Sequence, residues 1–342
     1  FKSDWDTFET SLDFFMSPIG RSNTQGLIEK TIIQYVNEWN KVSEEARSLE
    51  EGNNLIFSRA YNTEKEVSSE VEIADISLVN NGCFRFSADK SEEELRSLQV
   101  QSILFDFLSY SVGCMFGRYS LDKEGLVLAS QGDTLKDYLK QVPSPSFEPD
   151  DDNVIPLIDF DGDWFEDDIS ERFKQFLKVT FGEEHFAQNL TFIEEAIGKD
   201  IKKFFLKDFY TDHVKRYKKR PIYWMFSSSK GSFNGLIYMH RYRPDTVSVV
   251  LNDYLREFRT KLQARKESYE QTEVSASASQ KEKTQAIKSI QKINKVIDEV
   301  NEYERDILYP LAGKKVEIDL DDGVKHNYPL FEKALKKVAG LS

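Results

Sequence analysis

Cysteine and long apolar runs are scarce in this 342-residue sequence, and each scarcity excludes a class of protein. The two cysteines, Cys83 and Cys114, cannot build a disulfide framework and lack metal-ligand spacing, which suits a reducing cytoplasm. No apolar run approaches the length that spans a membrane, and the N-terminus has no signal-peptide pattern. We therefore expect a cytoplasmic protein that does not enter a membrane. Because the sequence opens on Phe1 in mid-pattern, we interpret it as a fragment of a longer polypeptide.

Recognisable catalytic and metal-binding motifs are missing as well. Ser228 has no Ser-His-Asp set or nucleophile-elbow motif around it, so we do not expect it to be a nucleophile. Residues 148–168 hold ten acids and no base, and the DFDGD stretch at 159–163 does not fit the EF-hand calcium loop. We interpret 148–168 as a solvated acidic loop and leave metal binding there as an open alternative. The sequence assigns no catalytic, cofactor-binding or metal-binding residue.

Positive charge is concentrated in one stretch, which we call the basic strip, residues 199–243. The strip holds twelve Lys or Arg and three Asp, a net charge of +9, whereas the whole chain carries −13 and the remainder therefore −22. Aromatic residues alternate with these cations along the strip. Cations hold phosphates, and flat rings either stack on bases or pack the support beneath. The strip indicates a polyanion site, and the alternative is a solvated helix face followed by a half-buried hairpin.

Two groups of residues within the strip are the predicted contacts with nucleic acid. The first group, expected to contact phosphates, consists of the cations that end a predicted helix and two that return beside them: Lys215, Arg216, Lys218, Lys219, Arg220, Arg241 and Arg243. The second group lies in the polar loop SSSKGSFN between two β-prone runs, where a short chain could read base edges: Ser227, Ser228, Ser229, Lys230 and Asn234. Trp224 and Tyr238 are expected to support the hairpin instead.

Hydrophobic periodicity predicts a predominantly helical α+β fold with helical spacers around a small β-hairpin subdomain. We predict four regions: a helical connector at 1–142, a mixed recognition-like region at 143–248, an antiparallel helical hairpin at 249–309 and a strand-turn-helix cap at 310–342. Apolar residues at heptad spacing from Leu251 to Ile307, interrupted by a Ser/Ala-rich segment, indicate the helical hairpin. Earlier in the chain, a helix over 27–49 is expected to break at Gly52.

Several longer stretches resemble one protein family. They are GCMFGRYSLDKEGL (113–126), VIPL (154–157), WFEDDI (164–169), DDGVKHNYPLF (321–331) and, most specifically, the stretch from Lys207 to Val247. Together they resemble the C-terminal half of the PglX family, the adenine-specific DNA methyltransferases of BREX phage defence. The resemblance implies a parent enzyme that uses S-adenosylmethionine to modify the exocyclic amine of adenine. It also implies double-stranded DNA as a partner, with other BREX subunits as further possible partners.

The departures from this family define what the chain itself could do. The family's Gly-rich cofactor loop and Asn-Pro-Pro-Tyr motif do not occur here, so this chain is expected to bind no cofactor and to be inactive alone. Three alternatives to a DNA-gripping and target-recognition role remain. They are a scaffold that docks other BREX subunits through its acidic surface and helical hairpin, a hydrolase using an acid pair such as Asp161 and Asp163, and an RNA-binding module, for which no motif is present.

Overall fold

The computed structural model describes residues 1–21 and 26–341 and is predominantly helical, with one small antiparallel sheet, as predicted. The helices are α1 (Lys2–Trp5), α2 (Pro18–Arg21), α3 (Ile28–Tyr61), α4 (Gly82–Phe86), α5 (Glu92–Met115), α6 (Leu135–Gln141), α7 (Ile169–Phe181), α8 (Phe186–Ile197), α9 (Ile201–Phe204), α10 (Tyr210–Arg216), α11 (Thr246–Val249), α12 (Arg256–Val274), α13 (Gln280–Tyr303), α14 (Tyr309–Lys314) and α15 (Val324–Asn327). The strands are β1 (Ile155–Pro156), β2 (Tyr223–Ser227) and β3 (Asn234–Tyr238).

The chain divides into two compact units, each assembled from three separate stretches. The first contains Phe1–Gly113, Tyr119–Leu126 and Lys174–Asp200, and the second contains Cys114–Arg118, Val127–Phe173 and Ile201–Ser342. The four consecutive regions predicted from the sequence divide the chain differently from these two units, and that division stays a prediction. No helix in the described part of the chain is long and apolar enough to cross a membrane.

The first unit is built on the long helix α3. Ile28, Ile32 and Val36 recur at helical spacing on its buried face, and the Asn189 side chain of α8 accepts a hydrogen bond from the Ile28 amide at 3.0 Å. The predicted break at Gly52 is wrong, because α3 continues to Tyr61 and ends where Asn62 adopts a left-handed conformation. A single glycine costs a helix only about 1 kcal/mol, which the flanking helix-forming residues offset.

The second unit is organised around the three-stranded sheet, whose strand order is β1-β3-β2. Strands β2 and β3 form the predicted hairpin, with Trp224 opposite Ile237 and Ser227 opposite Asn234. The C-terminal tail runs along the outer edge of β2, where the Lys336 amide donates to the Met225 carbonyl at 2.7 Å. Residues far apart in sequence therefore meet beside the hairpin loop.

The helical hairpin of the second unit confirms the heptad-based prediction. Helices α12 and α13 pack against each other through apolar residues such as Leu262 and Ile293, and residues 275–279 connect them. Both Arg256 and Arg259 of α12 pair with Glu304, beyond the end of α13, which fixes the antiparallel register.

In the described parts of the chain, three π-helical segments join neighbouring helices into longer continuous stretches. They are Phe205–Phe209 between α9 and α10, Val250–Leu255 between α11 and α12, and Glu304–Leu308 between α13 and α14. The helical stretch predicted over 249–309 does not end before Pro310, because this proline lies in the first turn of α14, where a missing amide hydrogen costs little. The predicted strand near Ile318 is also wrong, since the described tail begins instead with a 3₁₀ turn at Leu320–Asp322 and α15.

Candidate nucleic-acid interface

The aromatic side chains of the basic strip form the support beneath its surface. Trp224 and Tyr238 are fully buried, and so are Phe205 of the π segment and Phe226 of β2. The Trp224 indole N–H donates to the Pro221 carbonyl at 3.0 Å, which satisfies its one polar atom inside the core. These rings cannot stack on bases, because no face of them reaches solvent. Any recognition by this strip therefore cannot use these four rings.

A cluster of exposed cations lies where α10 ends. Lys215, Lys218, Lys219 and Arg220 are all exposed, and the last three follow the helix directly. Lys218 and Lys219 both have positive φ angles, 52° and 63°, and their amides close the helix by donating to the Lys215 and Val214 carbonyls. Such a conformation favours glycine, so two consecutive lysines here retain charge at a conformational cost.

The other three predicted phosphate contacts differ in their surroundings. Arg216 is largely buried and pairs with Asp212 at 3.1 Å on the same helix. Arg243 is exposed and lies 3.5 Å from the Asp245 carboxylate. Arg241 is only 5% exposed, and its guanidinium donates to the carbonyls of Phe116, Asp150 and Asp151. Arg241 therefore anchors the start of the acidic region, and its donors are already engaged within the protein.

His213 connects the end of α10 to the first strand of the hairpin. It is 1% exposed, and its Nε2 accepts hydrogen bonds from the amides of Ile222 and Tyr223, both at 3.1 Å. Burial, with the nearby positive charges of Arg216 and Arg118, holds the pKa of His213 well below its usual value. The imidazole is therefore neutral and fixes where β2 begins relative to the exposed cations.

The hairpin loop is wrapped around a carboxylate from the helical hairpin. Glu299 of α13 is 4% exposed and accepts hydrogen bonds from the hydroxyls of Ser228 and Ser232, at 2.5 and 2.6 Å. The same carboxylate accepts from the amides of Lys230, at 2.7 Å, and Ser232, at 3.4 Å. Burial alone would raise the pKa of Glu299, but these hydrogen bonds lower it, so the side chain stays ionised. The loop is thus pre-organised by one buried anion.

The predicted base-reading residues separate into internal and external members. Asn234 is 5% exposed; its amide donates to the Leu157 and Gly231 carbonyls, while its oxygen accepts from the Ser227 hydroxyl at 2.7 Å. Ser228 is equally internal, because its hydroxyl is held by Glu299. The side chains of Ser229 and Lys230 are exposed at the tip. The internal residues shape the loop, and the tip presents the groups available to a ligand.

A groove with a volume of 480 Å³ lies beside this loop and is lined by five lysines. We call it the lysine groove, and its cations are Lys207, Lys230, Lys333, Lys336 and Lys337. They come from the π segment after α9, from the loop and from the C-terminal tail.

The cations of the lysine groove share a strongly positive environment. Among the described residues that line the groove, the one acid, Asp159, pairs with Lys207. Burial and the nearby Lys207 ammonium lower the pKa of Lys336, whose ammonium lies 5.7 Å from the Tyr210 ring centroid. A concave surface with this charge concentrates anions, so it suits a phosphate backbone more than any neutral ligand.

Comparisons with known proteins agree with the resemblance noted in the sequence. No protein-family model matches the chain. The chain is 32% identical over its whole length to the adenine-specific methyltransferase BrxX of Escherichia coli O9:H4 (strain HS), of which it covers 29%. It is also 32% identical, over 96% of its length, to the adenine-specific methyltransferase PglX of Lacticaseibacillus casei (strain Zhang), covering 26% of that protein. The chain is a homologue of one part of these methyltransferases. It spans less than a third of the length of each.

Several residues that shape this site were not singled out from the sequence. Lys207, His213 and Ser232 lie within the basic strip, and four others lie outside it. Glu299 lies between Val296 and Val300, both buried on the apolar face of α13, and an acid at such a position is a signal for an internal partner. The other three are Lys333, Lys336 and Lys337. Their basic run was visible in the sequence, but its position beside the hairpin depends on the tail pairing with the edge of β2.

Among the described residues, three consecutive aspartates at the start of the acidic loop 148–168 are spaced closely enough to hold a metal ion. Carboxylate oxygens of Asp150, Asp151 and Asp152 lie within 4.8 Å of one another, a donor set that would suit a hard cation. Val154 donates to Asp150, and the Tyr254 hydroxyl donates to Asp152, so part of the acceptor capacity is used internally. Burial, with the neighbouring Asp152 charge, raises the pKa of Asp150 well above its usual value. We assign no metal to this cluster.

Proposed function

We propose that the chain is the DNA-binding, target-recognition and spacer portion of an adenine-specific DNA methyltransferase of a BREX phage-defence system. In the whole protein, which would act in the cytoplasm, S-adenosylmethionine serves as the methyl donor, and the chemistry lies outside this chain. The amine of adenine is inaccessible inside a base stack, so such an enzyme must flip the base out while another surface grips the duplex. This chain supplies that grip.

The observation that carries the proposal is the lysine groove beside a pre-organised polar loop. Phosphate contacts set the position of a protein on DNA, and groups at a groove edge read the sequence. The lysine groove and the exposed cations Lys215, Lys218, Lys219, Arg220 and Arg243 supply phosphate contacts. Ser229 and Lys230 at the loop tip supply groups for reading base edges. We do not include Arg216 and Arg241 among the proposed phosphate contacts, because both are engaged by partners within the protein.

A salt titration of duplex binding tests the proposal. The variant Lys333→Gln/Lys337→Gln removes two exposed charges from the lysine groove. The slope of log affinity against log salt concentration should become shallower by about 0.9 for each lysine–phosphate ion pair that the variant cannot form. The matched control, Lys65→Gln/Lys90→Gln, removes two exposed charges from the first unit and should leave the slope unchanged.

Docking of other BREX subunits is the second proposed role. The helical hairpin and the acidic remainder of the chain are the surfaces it would use. If the groove variant keeps the salt slope and affinity of the unaltered chain, the scaffold role replaces DNA gripping as the function of this chain.

A further inference from the structure

Helix α13 carries a row of lysines that the basic strip does not include. Lys281, Lys288, Lys292 and Lys295 are all exposed, and we call them the lysine stripe. Their spacing of seven, four and three residues places them within about 60° of one another around the helix axis, at about 100° per residue. Between Lys281 and Lys295 the helix has a single acid, Glu282, which lies about 100° away from Lys281. Between Lys281 and Lys295, the charged residues on this flank of α13 are therefore all cations.

The lysine stripe leads directly to the hairpin loop. Glu299 follows Lys281 by eighteen residues, five turns of helix, and so lies on the same face. This is the residue around which the loop is wrapped, through its bond to the Lys230 amide at 2.7 Å. Through this bond, the part of α13 that follows the stripe contacts the loop whose Lys230 also lines the lysine groove.

One member of the stripe is already engaged within the protein. Lys292 lies 3.3 Å from the Asp161 carboxylate and 4.6 Å from the centroid of the Phe160 ring. The same acidic loop pairs through Asp159 with Lys207 of the lysine groove. A short acidic segment therefore bridges the stripe and the groove, which places the two cationic surfaces on either side of it.

We propose that the lysine stripe is a second backbone contact for the same duplex and extends the grip along the helical hairpin. The inference rests on the proposed function, because it assigns the partner of the stripe as the DNA held in the lysine groove. From Lys281 to Lys295 the stripe is about 21 Å long at 1.5 Å per residue. That length matches about six base-pair steps at 3.4 Å per step, so the stripe contacts one segment of backbone beyond the groove.

The test is a salt titration of duplex binding with the variant Lys281→Gln/Lys288→Gln/Lys295→Gln. All three positions are exposed, so the helix should fold normally. The slope of log affinity against log salt concentration should fall by up to about 2.7, at about 0.9 for each phosphate ion pair removed. The matched control Lys41→Gln/Lys65→Gln/Lys90→Gln makes the same charge change in the first unit and should have no effect. The variant with arginine at the three stripe positions should restore the slope.

Duplex length gives a second readout that a general charge effect would not produce. Extending a minimal duplex by about six base pairs, on each end in turn, should raise the affinity of the unaltered chain from one end. The stripe variant should gain nothing from the same extension.

The outcomes separate the two proposals. If the stripe variant keeps its slope while the slope of the groove variant Lys333→Gln/Lys337→Gln falls, the stripe proposal is wrong and the DNA-gripping function stands; the stripe then belongs to an acidic protein partner. If neither variant changes the slope, both proposals are wrong.

Discussion

The carboxylate of Glu299 accepts a hydrogen bond from the Ser228 hydroxyl, across a sequence separation of 71 residues. This bond joins the second arm of the helical hairpin to the loop of the β-hairpin. Because the loop amides of Lys230 and Ser232 point at the same carboxylate, the loop forms a small anion-binding concavity that an internal acid fills. The hairpin loop and helix α13 are therefore held together by this carboxylate.

Replacing Glu299 with alanine should destabilise the second unit and loosen the loop. Four loop donors would be left without their acceptor, and leaving such groups unsatisfied costs about 1–3 kcal/mol. Urea denaturation should show this decrease in stability, and amide hydrogen exchange at Lys230 and Ser232 should accelerate. Asp298→Ala, an exposed acid one residue away, is the control and should change neither quantity. Unchanged exchange at both amides would contradict the role assigned to Glu299.

Glycine at Lys218 and Lys219 should separate stability from binding. Both residues have positive φ, which glycine adopts without a steric penalty, so the double variant should fold as stably as the unaltered chain or up to about 1 kcal/mol more stably. Duplex affinity should nevertheless fall, with a salt slope lower by about 0.9 for each phosphate ion pair that these lysines form.

The control for this double variant is Lys123→Gly, which lies in the first unit outside the proposed DNA surfaces. A double variant that gains stability and keeps its full duplex affinity would remove these two lysines from the proposed DNA site.

Local patterns were enough to predict the elements that carry this site. The hairpin strands stand out because β-prone runs are bounded by Pro221 and Pro244, and the helical hairpin stands out through its heptad spacing. Gly52 shows the limit of such rules, since a helix-breaking residue is overridden by the helix around it. Secondary structure was predictable wherever the signal was local and repeated.

The assembly of the site was not predictable, because it depends on partners distant in sequence. Arg241 lies in the same basic run as Arg243, and composition alone cannot show that three backbone carbonyls hold the first while the second reaches solvent. Likewise, nothing local places Lys336 beside Lys207. The sequence pointed to these cations only as a group, and dividing them into buried and exposed members required the tertiary contacts.

The buried His213 should make the folded state sensitive to acid. The unfolded chain takes up a proton on this residue near its usual pKa of about 6.5, whereas the folded protein resists protonation to a much lower pH. The free energy of unfolding should therefore fall as the pH drops below about 6.5, by at most about 1.4 kcal/mol per pH unit from this group. The variant His213→Gln, which keeps an acceptor atom, should show a shallower fall between pH 7.5 and 5.

The test compares the pH dependence of the free energy of unfolding between variants, measured by urea denaturation. Burial raises the pKa values of Asp150 and Asp168, and those carboxyls stabilise the folded state on acidification, opposite to His213. His326→Gln, the same replacement at an exposed histidine, is the control. Equal pH dependence in His213→Gln and the unaltered chain would contradict the assignment of a neutral imidazole at the hairpin base.

The chain should not bind S-adenosylmethionine, although the proposed whole enzyme uses it. The sequence contains no Gly-x-Gly segment and no Pro-Pro pair, so it lacks both motifs that the family resemblance links to holding the cofactor and the adenine amine. Isothermal titration calorimetry of the chain with S-adenosylmethionine should give only the heat of dilution, both alone and with duplex DNA present. Duplex titrated into the same sample is the positive control and should give salt-dependent binding. Stoichiometric, micromolar binding of S-adenosylmethionine would place part of the cofactor site inside this chain, and the division between a gripping portion and a separate catalytic portion would then be wrong.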